Sequence, residues 1–343
     1  MSHIRFGDSS VVATSVDEEY RLFEDLERSR RALRATIAEA ACDPTRHVGR
    51  FVLVQRVERN AAGELHQAWD DEAQRFVAVR TVDGVGALTR DAQRALETAT
   101  LLRHPGILAP LPGGFGVAPD GRLFVAMEIA PGRTLEPRRG ESARREPRQA
   151  ATIVLDLARA LGYAQGLGLV HGALHPASVI VNSHGQARLI DWGVAEAEAG
   201  SPTRRSHLQA RLERRGCAAP ELTEGEAGDP LTDVYGLGAL LLLLAGGKTP
   251  AQLTPEAEDP DPCLPPTLEP VVRRCLEADP TRRYPSPVIL ARDLERWLNG
   301  ERPAATTPLG VRLGRLTRRV HRAFVEVCAS TRIAATAAAS QRT

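Results

Sequence analysis

The sequence predicts an α+β protein of two lobes: a small antiparallel β-sheet lobe with one main helix, and a larger, mainly helical lobe. Three observations carry that expectation. The β-branched runs FVLVQRV, RFVAVRTV and RLFVAMEI fall between Phe51 and Ile129, with the turn residues Asn60 to Gly63 between the first two. One helix-like stretch, about Arg90 to Arg103, interrupts them and ends at His104-Pro105-Gly106. Beyond Pro131-Gly132 the chain reads as helix over 149–167, 230–246, 267–278 and 286–299, with a hairpin-like stretch from Val179 to Val194 after the first.

The flanks read differently. Ser15 and Glu18 form a capping-box signature, and Tyr20, Phe23, Leu26, Leu33, Ile37 and Ala40 follow at roughly helical spacing until Asp43-Pro44. Such a stripe needs a surface to cover it. We divide the chain into an extension over 1–46, a main domain over 47–300 with lobes 47–130 and 131–300, and a linker and basic tail over 301–343. In the tail, Arg312, Arg315, Arg318, Arg319 and Arg322 stand without an acidic residue between Leu309 and Arg322. Leu313, Leu316, Val320 and Phe324 share one helical face there. That pattern suits a helix docked on its own domain, an anionic membrane surface or an acidic partner.

Composition narrows the function classes. With 343 residues and 43% hydrophobic content, the chain can build an ordinary core. Its 44 Lys+Arg against 43 Asp+Glu leave a net charge of +1, which argues against a nucleic-acid binder acting through overall charge. Cys42, Cys217, Cys263, Cys275 and Cys328 are scattered and never form a CxxC pair, so neither a disulfide framework nor a zinc site is expected. The start lacks the apolar stretch of a signal peptide, and no run is long enough to span a bilayer. The expectation is a cytoplasmic protein.

Seven short stretches then fall in a meaningful order. Gly49-Arg50-Phe51 to Asp70 forms a hairpin-like unit, followed by Val77-Ala78-Val79-Arg80. His171-Gly-Ala-Leu-His-Pro-Ala-Ser178, Asp191-Trp192-Gly193, Ala219-Pro220-Glu221, Asp233-Val-Tyr-Gly-Leu-Gly238 and Asp279-Pro280-Thr-Arg-Arg283-Tyr284 complete the series. In type and spacing they resemble the protein kinase family, in particular the eukaryotic-type Ser/Thr kinases found in bacteria. The resemblance covers about Gly49 to Gly300.

Set beside that family, the parts that do chemistry are altered. The glycine-rich loop lets backbone approach phosphates closely, but its three glycine slots hold Glu58, Asn60 and Gly63. The strand lysine is Arg80, whose planar fork is a poor geometric substitute for a compact ammonium. The helix glutamate that would hold that cation is Ala95, with Asp91 a turn away and Glu97 facing elsewhere. The catalytic base is Ala173, and a methyl group accepts no proton. Gly172 replaces the arginine before it, His175 the loop lysine, and Ser178 the metal-holding asparagine. Of these, His175 is a weak stand-in base and more readily a structural residue. Arg214 occupies the substrate threonine slot.

What the resemblance implies is therefore mixed. Glu221 would pair with Arg283, Asp233 would hold the catalytic-loop backbone, and His171 and Trp192 would stack between the lobes. No cofactor is required. If ATP or ADP binds, the resemblance assigns it Gly63, Ala78, Arg80, Met127, Glu128, Ile129 and Asp191. Asp191 alone makes a poor Mg²⁺ site, and a backbone-capping role is the competing reading. The segment 194–216, with Ser201, Thr203 and Ser206, is expected to be a mobile, phosphorylatable loop. The leading functional expectation is a pseudokinase that regulates or scaffolds through a protein partner such as an active kinase. The alternative is a Ser/Thr kinase with weak or atypical nucleotide chemistry using Asp191 and Arg80.

Overall fold

The computed structural model describes residues 2–6, 9–13, 32–60, 63–137, 140–200, 202–214, 216–223, 228–250 and 264–306. Strands β1 (Ser2–Phe6) and β2 (Ser9–Ala13) pair antiparallel, a hairpin the sequence reading did not anticipate. Helix α1 (32–41) is the end of the predicted amphipathic helix. Tyr20, Phe23 and Leu26 lie outside the described residues. Leu33 is exposed and Ala40 is buried, so only the C-terminal end of that stripe is seen to be covered.

The small lobe is a six-stranded antiparallel sheet in the order β3-β4-β5-β6-β8-β7. Its strands are β3 (His47–Val48), β4 (Phe51–Asn60), β5 (Gly63–Asp70), β6 (Arg75–Val82), β7 (Pro110–Val117) and β8 (Leu123–Met127). Alternation in β6 sends Val77 and Val79 to a core with Phe51, Ala68 and Phe124. Strand β7 escaped the sequence reading because its residues, PLPGGFGV, carry proline or glycine at five of eight positions. Helix α2 (Arg90–Ala99) starts on Thr89, whose hydroxyl accepts the Ala92 amide, and buries Ala92, Leu96 and Ala99.

The large lobe is built on α3 (Pro147–Gly166), α7 (Pro230–Gly246), α8 (Glu269–Cys275) and α9 (Pro287–Leu298), close to the predicted spans. Each has proline in its first turn, where the missing N–H costs nothing. Helix α7 opens on a reciprocal Asp229–Thr232 capping box and closes on Gly247 at φ +73°. It is apolar on every side and buried accordingly; a Cβ at Gly238 would overlap Cys275. A small sheet of β9 (Arg133–Thr134), β10 (Val179–Val181) and β11 (Ala187–Leu189) lies beneath the lobe junction. The predicted Val179–Val194 hairpin is thus present but ends at Leu189.

The segment 194–216, expected as a loop, is largely helical among the described residues: it carries α4 (Val194–Glu198) and α5 (Pro202–Arg214), with α6 (Pro220–Thr223) following. Leu208 and Leu212 recur at helical spacing and are both buried, which gives α5 the apolar face it needs to stay packed. Among the described residues no helix is long and apolar enough to cross a membrane. The basic tail 309–322 lies outside them.

Candidate functional site

A cavity of about 630 Å³ opens between the lobes. Val57, Leu65 and Ala78 line it from the sheet, Met127 to Ala130 from the connecting segment, and Ile180 from the large lobe. Strand β8 ends its ladder at Met127, so the backbone from Glu128 to Ala130 runs past the cavity outside any strand pairing. Of the residues expected around a nucleotide, Ala78, Met127, Glu128 and Ile129 line this cavity. Gly63, Arg80 and Asp191 do not.

Gly63 has a different task. The β4–β5 pairing extends to Asn60 opposite Gly63, with register irregularities between Leu53 and Gln55 and between Arg56 and Glu58, at the place where a phosphate loop would lie. Gly63 sits at φ +113°, and a Cβ there would collide with the Thr81 carbonyl oxygen. Its glycine serves the packing of hairpin on β6. Glu58 lines the cavity and accepts a hydrogen bond of 3.2 Å from the Thr134 hydroxyl, tying β4 to β9 across the two lobes.

Arg80 and Asp191 form one buried pair. The Arg80 Nε donates to Asp191 Oδ1 at 2.9 Å, with the guanidinium fully buried. Asp191 sits at φ +65°, a conformation aspartate tolerates better than most residues. Ala95, in the slot for the cation's helix partner, packs its methyl on the large core. Asp191 thus replaces the missing helix carboxylate. The remaining two Arg80 nitrogens have no hydrogen-bond partner among the described residues. A half-satisfied guanidinium in the interior is costly, and it raises the stakes on its one carboxylate.

The catalytic-loop slots are all occupied structurally. The Ala173 methyl is buried in a cluster with Leu208 and Leu212 of α5, flanked by Ala195, Ala218 and Leu222. Gly172 adopts φ +70°, which an arginine in that slot would adopt only with strain. His175 is buried; its Nδ1 accepts the Ser178 amide at 3.1 Å, while the Ser178 hydroxyl donates to the His175 carbonyl at 2.8 Å. The two residues close a capping box on the short turn Pro176–Ser178. An Nδ1 that accepts a backbone N–H is held unprotonated, and Ser178 spends its hydroxyl locally. Both side chains are thus engaged in the turn.

Architecture is handled with more polar satisfaction. Arg283 donates to both Glu221 oxygens at 2.6 and 2.7 Å and also to the carbonyls of Glu277, Leu231 and Ala278. Burial alone would raise the Glu221 carboxyl, but the guanidinium hydrogen bonds hold it below the ordinary range. Asp233 accepts the amides of His171 and Gly172, each at 2.9 Å. Its burial still pushes that carboxyl upward. His171 meets Trp192 edge-on, ring centroids 5.1 Å apart. Sequence reasoning missed the Glu58–Thr134 tie and the Tyr284 hydroxyl on Asp293, at 2.9 Å, which orients the carboxylate toward the amides of Ala304 and Ala305. Neither pair has a spacing that announces it.

Comparison with known proteins agrees with this geometry. The family model described as "Protein kinase domain" matches residues 54–293. The chain is 27% identical over 289 residues to a probable serine/threonine-protein kinase of Streptomyces coelicolor, covering 78% of this chain and 43% of that protein. It is 28% identical over 277 residues to serine/threonine-protein kinase PknB of Mycolicibacterium smegmatis, covering 75% and 44%. For serine/threonine-protein kinase PknA of Mycobacterium tuberculosis the figures are 29% over 256 residues, 69% and 59%. The chain spans less than two thirds of the length of each of these relatives. With the sheet and helices, the ordered motifs and the matched span in agreement, this chain belongs to the protein kinase domain family and is homologous to bacterial serine/threonine kinases.

Proposed function

We propose that this chain is a pseudokinase, a kinase-fold module that works by binding and regulates or scaffolds a signalling partner rather than transferring phosphate. One observation carries the reading: the base position is a methyl group, Ala173, packed beneath Leu208 and Leu212. A phosphoryl acceptor needs both a proton acceptor and room at that place. Here the proton acceptor is gone and the room is filled by the chain's own α5. The alternative, weak nucleotide chemistry through Asp191 and Arg80, requires that carboxylate for a metal ion, and the buried pair with Arg80 weighs against it. The partner class we favour is a protein, such as an active kinase, because the lobe-locking residues Glu221, Asp233 and Arg283 keep a defined surface in place.

The test is radiolabelled phosphotransfer from ATP by the purified chain to itself and to generic protein substrates, with Mg²⁺ and with Mn²⁺. Transfer should not exceed that of a folded D191N control. Transfer above background that D191N abolishes would overturn the reading.

A further inference from the structure

Among the described residues six large hydrophobic side chains stand exposed: Leu33, Val57, Leu101, Ile129, Leu167 and Val288. Val57 and Ile129 line the interlobe cavity, and Leu33 lies on α1. The other three gather at the C-terminal end of α3. Val288, 41% exposed, comes so close to Gly162 that a Cβ there would overlap its methyl group. Gly166, one turn further along the same face of α3, is bare, and a Cβ on it would meet nothing within 4 Å. Leu167 ends the helix and is 47% exposed. Leu101 precedes Arg103, whose amide donates to the Tyr163 hydroxyl of α3 at 3.2 Å. Three aliphatic side chains thus surround an uncovered helix end.

The chain itself leads back to this strip. Its last described residues, Ala304–Thr306, are fastened to α9, where Asp293 accepts the Ala304 amide at 2.8 Å and the Ala305 amide at 3.0 Å. Val288 lies on that same helix, about 8 Å from Asp293 along its axis. Leu313 comes seven residues after Thr306, a length of chain that reaches at most about 25 Å. The tail lies outside the described residues, but its sequence repeats apolar side chains at Leu309, Leu313, Leu316, Val320 and Phe324, the series of one helical stripe. At about 100° per residue, Arg312, Arg315, Arg318, Arg319 and Arg322 fall on the opposite side. The stripe is narrow and holds a single aromatic residue, which suits a strip of protein surface better than burial in a bilayer interface.

We propose that residues 309–324 form a helix that docks in cis on this strip, laying Leu313, Leu316 and Val320 over Leu167, Val288 and the bare turn at Gly166. The arginines then face solvent, and apolar surface on both sides leaves water together. The occupant is the chain's own tail because its anchored start lies on α9 beside the strip, and because the tail's stripe and the strip are both apolar and narrow. This docking holds whether or not the chain transfers phosphate.

The experiment is hydrogen exchange by mass spectrometry on the full chain, comparing the parent with V288D and with L313D/L316D/V320D. In the parent, amides over 313–324 should exchange more slowly than those of an unstructured chain. V288D places an acid in the first turn of α9, where a carboxylate is tolerated, and should release the tail. Both variants should speed exchange over 164–169 by about tenfold, the effect of uncovering one aliphatic side chain. Combined, they should do no more than either alone. The tail variant reads those amides without altering the folded lobe, so a fold defect in V288D would not obscure the result. Unprotected tail amides in the parent, or unchanged exchange over 164–169 in the tail variant, would overturn the docking. Co-sedimentation with phosphatidylglycerol vesicles tests the membrane alternative: the parent should bind less than V288D, whose stripe is free. Equal binding by the two would place the stripe on the bilayer, and tail protection lost on dilution would place it on a second copy; either result overturns docking in cis.

Discussion

At the residue scale, two buried arginines do opposite things with the same group. Arg283 has a bidentate carboxylate and three carbonyl acceptors, and Arg80 has one bond to Asp191. Removing one partner of a buried pair strands the other charge, at a cost of about 3–5 kcal/mol. D191N should therefore destabilise the chain by that order in chemical denaturation, while R80M/D191L, which removes both charges, should recover most of the loss. A D191N variant as stable as the parent would show that Asp191 is not holding Arg80. The same logic sets a pH dependence at Glu221. Its folded pKa is depressed, so its contribution to stability is fully present above the unfolded value near the ordinary carboxylate range and is lost as pH falls through the folded value. Unfolding free energy measured from pH 6 downward should show a loss that begins below about pH 5 and is smaller in E221Q.

At the element scale, the replacement of a loop by α5 is what separates the structure from the sequence reading. Ser201, Thr203, Arg204 and Arg205 have the composition of an exposed loop, and that polarity concealed Leu208 and Leu212. Their burial depends on Ala173: a methyl leaves space and no charge for the leucines to meet. L212D should therefore release α5, speeding amide exchange over 202–214 well before the rest of the large lobe responds. Exchange unchanged in that segment would mean that α5 is held by something other than this contact. Helices α3, α7 and α9 were legible because a first-turn proline and a side-chain cap coincide with an apolar run in each of them. The motif spacings foretold the Glu221–Arg283 pair and the Asp233 contacts. Glycine-rich β7, two-residue β9 and the partner of Arg80 were not legible. Short or breaker-rich strands carry no period, and the Arg80–Asp191 contact joins residues 111 positions apart.

At the scale of the whole molecule, the lobes keep the joints of a kinase, and on the proposed reading they lose its reaction path. The polar groups that fix the large lobe are well satisfied, whereas the groups that would touch phosphate have become a hairpin tip, a buried ion pair, a methyl and a capping box. On the proposed reading these losses act on one unit, so restoring any one of them should restore nothing. A173D should remain inactive and should also loosen α5 by placing a carboxylate under Leu208 and Leu212. Measurable transfer by A173D alone would mean that the remaining site is closer to competence than the geometry indicates.

The most direct measurement of the central claim is intact-mass analysis of the purified chain after prolonged incubation with ATP and Mn²⁺, alone and beside a generic acceptor protein. The account predicts no added phosphate on either protein beyond a folded D191N control. Phosphate added by the parent chain and absent with D191N would contradict it.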